Sequence, residues 1–325
     1  MLQGAISIVE VGARDGLQNE SVPFSTAAKL SLIGDLLAAG LRRIEVASFV
    51  DPGRVPQMAD AEAVAAGVPD IADARYIGLV LNKRGYMRAL ATRERGRGVD
   101  EVGCVAVATE TFAQKNQGQT VDEGVRVATE IVKLAAHEAM AAQVTLSAVF
   151  GCPYEGAVPV SRVVDMAKRI ADAGSCEIAL ADTIGSGVPA QVRDLIGAVG
   201  DAVPGMPLRV HFHNTRNTGI ANAWAAVEAG VRCLDASIGG LGGCPFAPAA
   251  TGNIATEDLA YLLEKSGFDT GVALDRLILA AQALSKQLGR TLPGMVSRAG
   301  DFPAPQRAEI VTEIVKVRAG EKEQA

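Results

Sequence analysis

Residues 160–183 read VSRVVDMAKRIADAGSCEIALADT. In the first half, Val160, Val163, Val164, Ala167, Ile170 and Ala171 recur at i, i+3, i+4 and i+7, the stripe of a helix with one apolar face. Gly174 stands where such a helix stops, because glycine tolerates the left-handed conformation that closes a helix. The pattern then switches to a short apolar run over 176–181, followed by Asp182 and Thr183. A helix handing over through one glycine to a short buried strand is half of a repeating βα unit.

The same alternation continues in both directions. Strands are predicted over 7–11, 43–47, 75–81, 101–106, 144–149, 176–181, 208–213 and 233–238, with helical periodicity between them. Leu30, Ile33 and Leu37 give the first helix its stripe, and Gly40 ends it. Eight βα units with no evident linker predict an α/β fold of the (β/α)8 TIM-barrel class, whose parallel strands close without an edge. A doubly wound open sheet is the competing arrangement. No GxGxxG follows the first strand, which removes its best support. The expected organisation is one domain over 1–325: a barrel over about 5–266, a C-terminal helical extension over about 267–317 that includes a helix at 272–288, and a frayed polar tail over 318–325.

Composition narrows the class. Of 325 residues, 49% are hydrophobic and 21% charged, so a large core is available, which argues against a disordered chain. The net charge of −6 argues against a nucleic-acid partner held by charge alone. The start, MLQGAISIVEVGARDG, lacks the features of a signal peptide, and no apolar run reaches the ~20 residues of a membrane span. The five cysteines (Cys104, Cys152, Cys176, Cys233 and Cys244) are odd in number and scattered, which points to free thiols in a cytoplasmic protein. All but Cys244 fall in or beside predicted strands and read as small buried hydrophobes.

In a barrel of this kind, chemistry sits where the strands end. Strand 1 ends in Arg14-Asp15, strand 2 carries Glu45 and Ser48, strand 6 ends in Asp182-Thr183, and strand 7 carries His211 and His213. Residues two apart in a strand face the same side, so both imidazoles point together into the barrel mouth. Paired imidazoles suit a divalent metal; the alternative is two histidines hydrogen-bonded at a polar strand end. Asp15 can complete the set, since strands 1 and 7 are near neighbours in a closed barrel, and Asn253 can add a carbonyl oxygen. Oxygen and imidazole donors without thiolate favour Mg²⁺ or Mn²⁺, although Zn²⁺ or Co²⁺ also bind such sites. His137 lies in a helical stretch and reads as a surface residue. Arg14 is placed either to stabilise an enolate oxygen or to pair with Glu45 or Asp15, and the two roles are compatible. Cys244 sits in the glycine-rich loop 239–253, where it is either a proton donor or acceptor or an incidental thiol in a turn.

Together these segments resemble the 3-hydroxy-3-methylglutaryl-CoA lyase family, within the DRE-TIM metallolyases. The matching stretches are VEVGARDGLQNE (9–20), IEVASFVDPGRVPQMAD (44–60), FGCPYEG (150–156), ALADTIGSG (179–187), HFHNT (211–215) and GGLGGCPFAPAATGNIATED (239–258). The resemblance implies retro-Claisen cleavage of 3-hydroxy-3-methylglutaryl-CoA to acetyl-CoA and acetoacetate, as in leucine degradation, by a homo-oligomer that is a dimer or larger. It implies a divalent metal on Asp15, His211, His213 and Asn253, with Arg14 and Cys244 as the catalytic pair. Glu45, Asp182 and Glu257 become supporting acids and Gln18 a glutamine near the substrate, while Ser48, Thr183, Asn214 and Arg216 complete the residues expected to meet it.

One stretch departs. Where the family reads HxHDTYGQALAN, this chain reads HFHNTRNTGIAN, bringing Asn214, Arg216 and Asn217-Thr218. The loss of one negative charge and the gain of a positive one are expected to make the pocket rim more cationic and to shift selectivity toward another acyl-CoA. The same chemistry on citramalyl-CoA, giving acetyl-CoA and pyruvate, is the nearest rival. A condensing synthase is a second, though such enzymes carry a further regulatory domain and this chain is expected to be too short for one. A barrel that only binds CoA esters is the third, and the Arg14, Asp15, His211, His213 and Cys244 set argues against it.

Overall fold

The computed structural model describes residues 4–244 and 247–303, leaving aside the side chains of residues 244 and 247–251. Eight strands follow in chain order: β1 (Ser7–Glu10), β2 (Arg43–Ser48), β3 (Arg75–Leu79), β4 (Glu101–Val107), β5 (Ala141–Ser147), β6 (Ile178–Asp182), β7 (Leu208–Phe212) and β8 (Cys233–Ala236). Each pairs in parallel with the next, and β1 pairs with β8 as well as β2, so the sheet closes into a barrel. Helices connect the strands on the outside. Past β8, two short strands, β9 (Gly243–Cys244) and β10 (Ala247–Thr251), pair antiparallel.

The helix read from the opening stretch spans Val160–Asp172 and buries Val163, Met166, Ala167 and Ile170. Val160, its first residue, is exposed instead of buried. Strand bounds differ from the expected ones where composition was a poor guide. β5 begins at Ala141, three residues before the predicted start, because Ala141, Ala142 and Gln143 pair in register with Glu101, Val102 and Gly103 of β4 despite their weak strand preference. It stops at Ser147 because Ala148 takes a left-handed φ of 61°. β8 stops at Ala236, where the chain enters a tight turn over Ile238–Gly240. The extension helix runs over Leu274–Leu288 and a short helix over Val296–Ala299 follows, while residues 304–325 lie outside the described residues. No described helix is long and apolar enough to cross a membrane.

The large apolar cluster lies between sheet and helices, running from Ile6 to Leu292. The interior of the barrel is different. Arg43 on β2 donates to Glu101 on β4 at 2.6 Å and to Glu177, just before β6, at 2.9 Å. Arg209 on β7 pairs with Glu177 at 2.8 Å, with Asp235 on β8 at 2.6 Å, and donates to Gln143 on β5 at 2.6 Å. Bonds between non-adjacent strands have to cross the barrel, so these alternate positions point inward. Beside a small apolar cluster of Val9, Val11 and Ile77, the usual stacked layers of branched aliphatics here give way to ions.

The extension docks on the first helix, Thr26–Ala38, at the glycine that ends it. Gly40 has a φ of 99°, and a Cβ there would lie 2.3 Å from the Gly271 carbonyl oxygen. Next to it, the Ala273 N–H donates to the Ala39 carbonyl at 2.7 Å. Gly40→Ala is therefore expected to cost about 1–3 kcal/mol through backbone strain and steric displacement of the extension. Urea unfolding should show a lower midpoint with an unchanged slope, and an unaltered midpoint would contradict this contact.

Candidate active site and metal centre

After β1 the chain makes a π-helical turn over Gly12–Gly16 that carries Arg14 and Asp15. Its glycines are required by close approach: a Cβ at Gly12 would lie 2.6 Å from Glu10 Oε1, and one at Gly16 2.8 Å from Ser237 Oγ. The Glu10 carboxyl fastens the turn to the end of β8. It accepts from the Gly12 N–H at 2.7 Å, the Ile238 N–H at 2.9 Å and the Thr256 hydroxyl at 2.5 Å. Burial pushes its pKa up to about 7 against these hydrogen bonds.

Asp15, His211 and His213 each offer one ligand atom, and these atoms lie within 4.8 Å of one another. The two rings are 5.2 Å apart between centroids. His211 Nδ1 is 3.0 Å from Asp235 Oδ2, leaving its Nε2 as the free ring nitrogen. His213 Nδ1 is buried without a hydrogen-bond partner. Asn253, bridged to His213 by an isolated β-pair, donates its Nδ2 to Asp15 Oδ2 at 2.8 Å and to the Leu241 carbonyl at 3.1 Å. Its buried Oδ1 also has no partner. Unsatisfied acceptor atoms beside a carboxylate and two imidazoles are what a divalent cation would satisfy, so the donor set fits one.

The charges agree with that fit. Burial alone would raise the Asp15 carboxyl, but the Arg14 guanidinium, then His211 and His213, outweigh it and hold it at about 2. Burial, reinforced by His211, pushes His213 down to about 4, so it is neutral at pH 7, as a ligand must be. Burial opposes the charged form of His211, yet the hydrogen bond and charge of Asp235 raise its pKa above the ordinary value. Arg14 makes both of the ion pairs considered from sequence: to Asp15 Oδ1 at 2.7 Å and to Glu45 Oε2 at 2.5 Å.

A cavity of about 570 Å³ opens above these groups, walled by Arg14, Asp15, Gln18, Glu45, Thr183, His211 and His213. Thr183 is held there by the Ser147 hydroxyl and the Ala148 N–H, both at 2.8 Å. Gly243 reaches the wall, whereas the Cys244 side chain lies outside the described residues.

Besides Asn253, which reaches the site through Asp15, five expected residues are not brought to the cavity. Asp182 alternates with Ala181 and Thr183, which face inward, so its carboxylate points away. It accepts from the N–H groups of Ser186 at 2.9 Å and Gly187 at 2.8 Å. Glu257 is fully buried, accepting from the Gly239 N–H at 2.9 Å and packed against Gly294. Ser48 is buried outside the wall. Asn214 caps the next helix by accepting from the Gly219 N–H at 3.0 Å. Arg216 turns to the carbonyls of Ile184 and Gly185, at 3.0 and 2.9 Å. Neither substituted side chain lines the cavity.

Among the cysteines, Cys104 and Cys152 are buried, but Cys176 is exposed, and Cys233 is half-buried because it faces the ionic interior, accepting from Arg43 at 3.4 Å. Sequence reading missed Asp235 and Arg209 on the cavity floor, and Arg54 and Lys115 on its wall. A detectable signal existed for the first two, since each is a charge at an alternate position of an otherwise apolar strand.

The HMGL-like family matches residues 5–284. The chain is 42% identical over 306 residues to (R)-citramalyl-CoA lyase of Chloroflexus aurantiacus, covering 91% of this chain and 95% of that one. It is 41% identical over 285 residues to hydroxymethylglutaryl-CoA lyase of Pseudomonas mevalonii, covering 88% and 93%. An HMG-CoA lyase from Acinetobacter baumannii, solved in complex with coenzyme A and 3-methylmalate, superposes with a TM-score of 0.87 at 37% identity, covering 92% of this chain and 96% of that one.

The buried Glu257 gives the site a pH signature. Burial pushes its carboxyl up to about 7 from an ordinary 4.5, so the folded state holds a proton that the unfolded chain has lost between those values. The stability this confers is complete below the unfolded pKa and is lost as pH rises through the folded one. In thermal melts between about pH 5 and 8, Glu257→Gln should lose stability less steeply than the unmodified protein, and parallel curves would exclude the assignment.

Proposed function

From the premise that the chain belongs to the HMGL-like family and is a lyase, we propose that it cleaves 3-hydroxy-3-methylglutaryl-CoA to acetyl-CoA and acetoacetate with a divalent metal. The observation that carries this reading is the meeting of Asp15, His211 and His213 at one point on a cavity wall that also presents Arg14. Asp15, His211, His213 and the Asn253 side-chain oxygen would hold Mg²⁺ or Mn²⁺, the hard cations that such donors suit. Bound there, the ion supplies Lewis-acid polarisation of substrate oxygens.

The protein groups do the rest. Of Asp15, His211 and Asp182, the three groups considered for taking the 3-hydroxyl proton, Asp15 faces the cavity; Asp182 does not, and His211 has one ring nitrogen held by Asp235 and the other turned to the metal position. As the C2–C3 bond breaks, its electron pair passes into the thioester enolate and the carbinol becomes the ketone of acetoacetate. Arg14, fixed by Glu45 and Asp15, presents its guanidinium where the enolate oxygen gains charge. Cys244, next to wall residue Gly243, returns a proton to C2 to give acetyl-CoA. Gln18 and Thr183 meet the acyl portion. Glu257 and Asp182 support the site by holding the N–H groups of Gly239 and Gly187. Ser48, Asn214 and Arg216 stand outside the cavity wall.

Citramalyl-CoA is the second reading, favoured by the 42% identity to a lyase of that name. Its carboxylate sits one methylene closer to the carbinol carbon, and its keto product is pyruvate. We place the protein in the cytoplasm as a homo-oligomer, dimer or larger, and read it as one domain. Exposed Leu279 on the extension helix and Met295 just before the short helix are apolar surface suited to a second copy.

Acetyl-CoA release is expected from 3-hydroxy-3-methylglutaryl-CoA, at a lower rate from citramalyl-CoA, and from neither in excess EDTA until Mg²⁺ or Mn²⁺ is restored. Full activity in the chelator would sink the metallolyase reading, and a reversed substrate ratio would establish the second one. Cys244→Ser should lose on the order of 10²–10⁴-fold in kcat with little change in melting temperature or metal content. Arg14→Lys should lower kcat far more than it raises KM, because a point charge cannot reproduce the planar donor pair. A change confined to KM would make Arg14 a binding residue only.

A further inference from the structure

The floor of the cavity carries a carboxylate with two fixed obligations. Asp235 is 5% exposed on β8. Its Oδ1 accepts from Arg209 at 2.6 Å, and its Oδ2 lies 3.0 Å from His211 Nδ1. Arg209 can only donate, and it is held on its other sides by Glu177 at 2.8 Å and Gln143 at 2.6 Å, so it cannot swing away. We propose that Asp235 is a positioning residue that fixes His211 in the tautomer with its proton on Nδ1 and its Nε2 lone pair turned toward Asp15 and His213.

The inference rests on the metal reading above and adds how one ligand is oriented. A carboxylate between a guanidinium and an imidazole accepts from both, so His211 Nδ1 is the donor and Nε2 the free lone pair. His213 has no such support, since its Nδ1 has no partner. The two histidines are thus unequal: His211 is oriented by a salt-bridged carboxylate, and His213 by the backbone bridge to Asn253. Arg209 is itself held by Glu177 and Gln143, so Asp235 keeps a fixed donor on the side away from His211.

Asparagine makes a sharp probe because it has nearly the same shape. In Asp235→Asn, Arg209 claims the amide oxygen, and the amide nitrogen then faces His211. Two donors cannot share that bond, so His211 must move its proton to Nε2 or turn. Either outcome removes the ligating lone pair, although fold and volume are conserved.

The test combines two measurements on the full-length protein without substrate. Mn²⁺ binding followed by electron paramagnetic resonance should weaken about 10–100-fold in Asp235→Asn, the range usual for loss of a ligand's hydrogen-bond partner. Glu101→Gln, which disturbs the same ionic interior without touching His211, should lower the melting temperature and leave Mn²⁺ affinity unchanged. The chain has only three histidines, so ¹⁵N-histidine labelling of the metal-free protein, at a pH alkaline enough to keep every imidazole neutral, resolves their tautomers. His211 should carry its proton on Nδ1 in the unmodified protein and not in the variant. Equal Mn²⁺ affinity of variant and parent overturns the positioning role alone, whereas failure of the parent to bind Mn²⁺ overturns the metal reading and this role together. If the variant does not fold, the parent spectrum decides, and an Nε2 proton on His211 would overturn the proposal.

Discussion

Charge inside the barrel has to be paired across the barrel. Arg43 and Arg209 stand in a closed sheet with Glu101, Glu177 and Asp235, and each is held by at least one partner on a non-adjacent strand or on the strand beside it. Taking such ions out of water costs several kcal/mol apiece, which is recovered only when geometry and hydrogen bonding are good. The arrangement therefore acts less as a source of stability than as a constraint on register. A strand that slipped by one residue would turn its charge into the apolar layer beneath the helices.

That constraint leads directly to the chemistry. A barrel floor packed with branched aliphatics leaves no polar surface below a metal site, whereas this one ends upward in Asp235 and His211. The turn bearing Arg14 and Asp15 is fastened from the side by Glu10, and the glycine-rich loop after β8 by Glu257. Buried carboxyls thus do two kinds of work. Those on the barrel axis neutralise arginines, and those at the rim satisfy backbone N–H groups of loops too glycine-rich to hold a shape alone.

Much of this was legible in the sequence. The alternation of helical stripe, glycine and short apolar run reveals the barrel because each signal depends on local spacing. His211 and His213 declare a shared face because a strand has a period of two. Asp182 and Ser48 were harder, since at a strand end one residue of phase decides between cavity and packing, and the period alone does not give the phase. Asn214 and Arg216 looked like rim residues by position, but short polar side chains after a strand often cap the next helix, and a long arginine can reach the neighbouring loop's carbonyls. The axial ions went unread because a lone charge in an apolar strand has no local partner. Its meaning depends on which strands the closed barrel places opposite one another.

The most direct measurement is anomalous diffraction from crystals of the protein grown with Mn²⁺. A single strong peak is expected at about 2.0–2.3 Å from Asp15, His211 Nε2, His213 and the Asn253 oxygen. No peak among these four residues at full metal concentration, or one bound elsewhere in the cavity, would contradict a metal-dependent lyase built on this site.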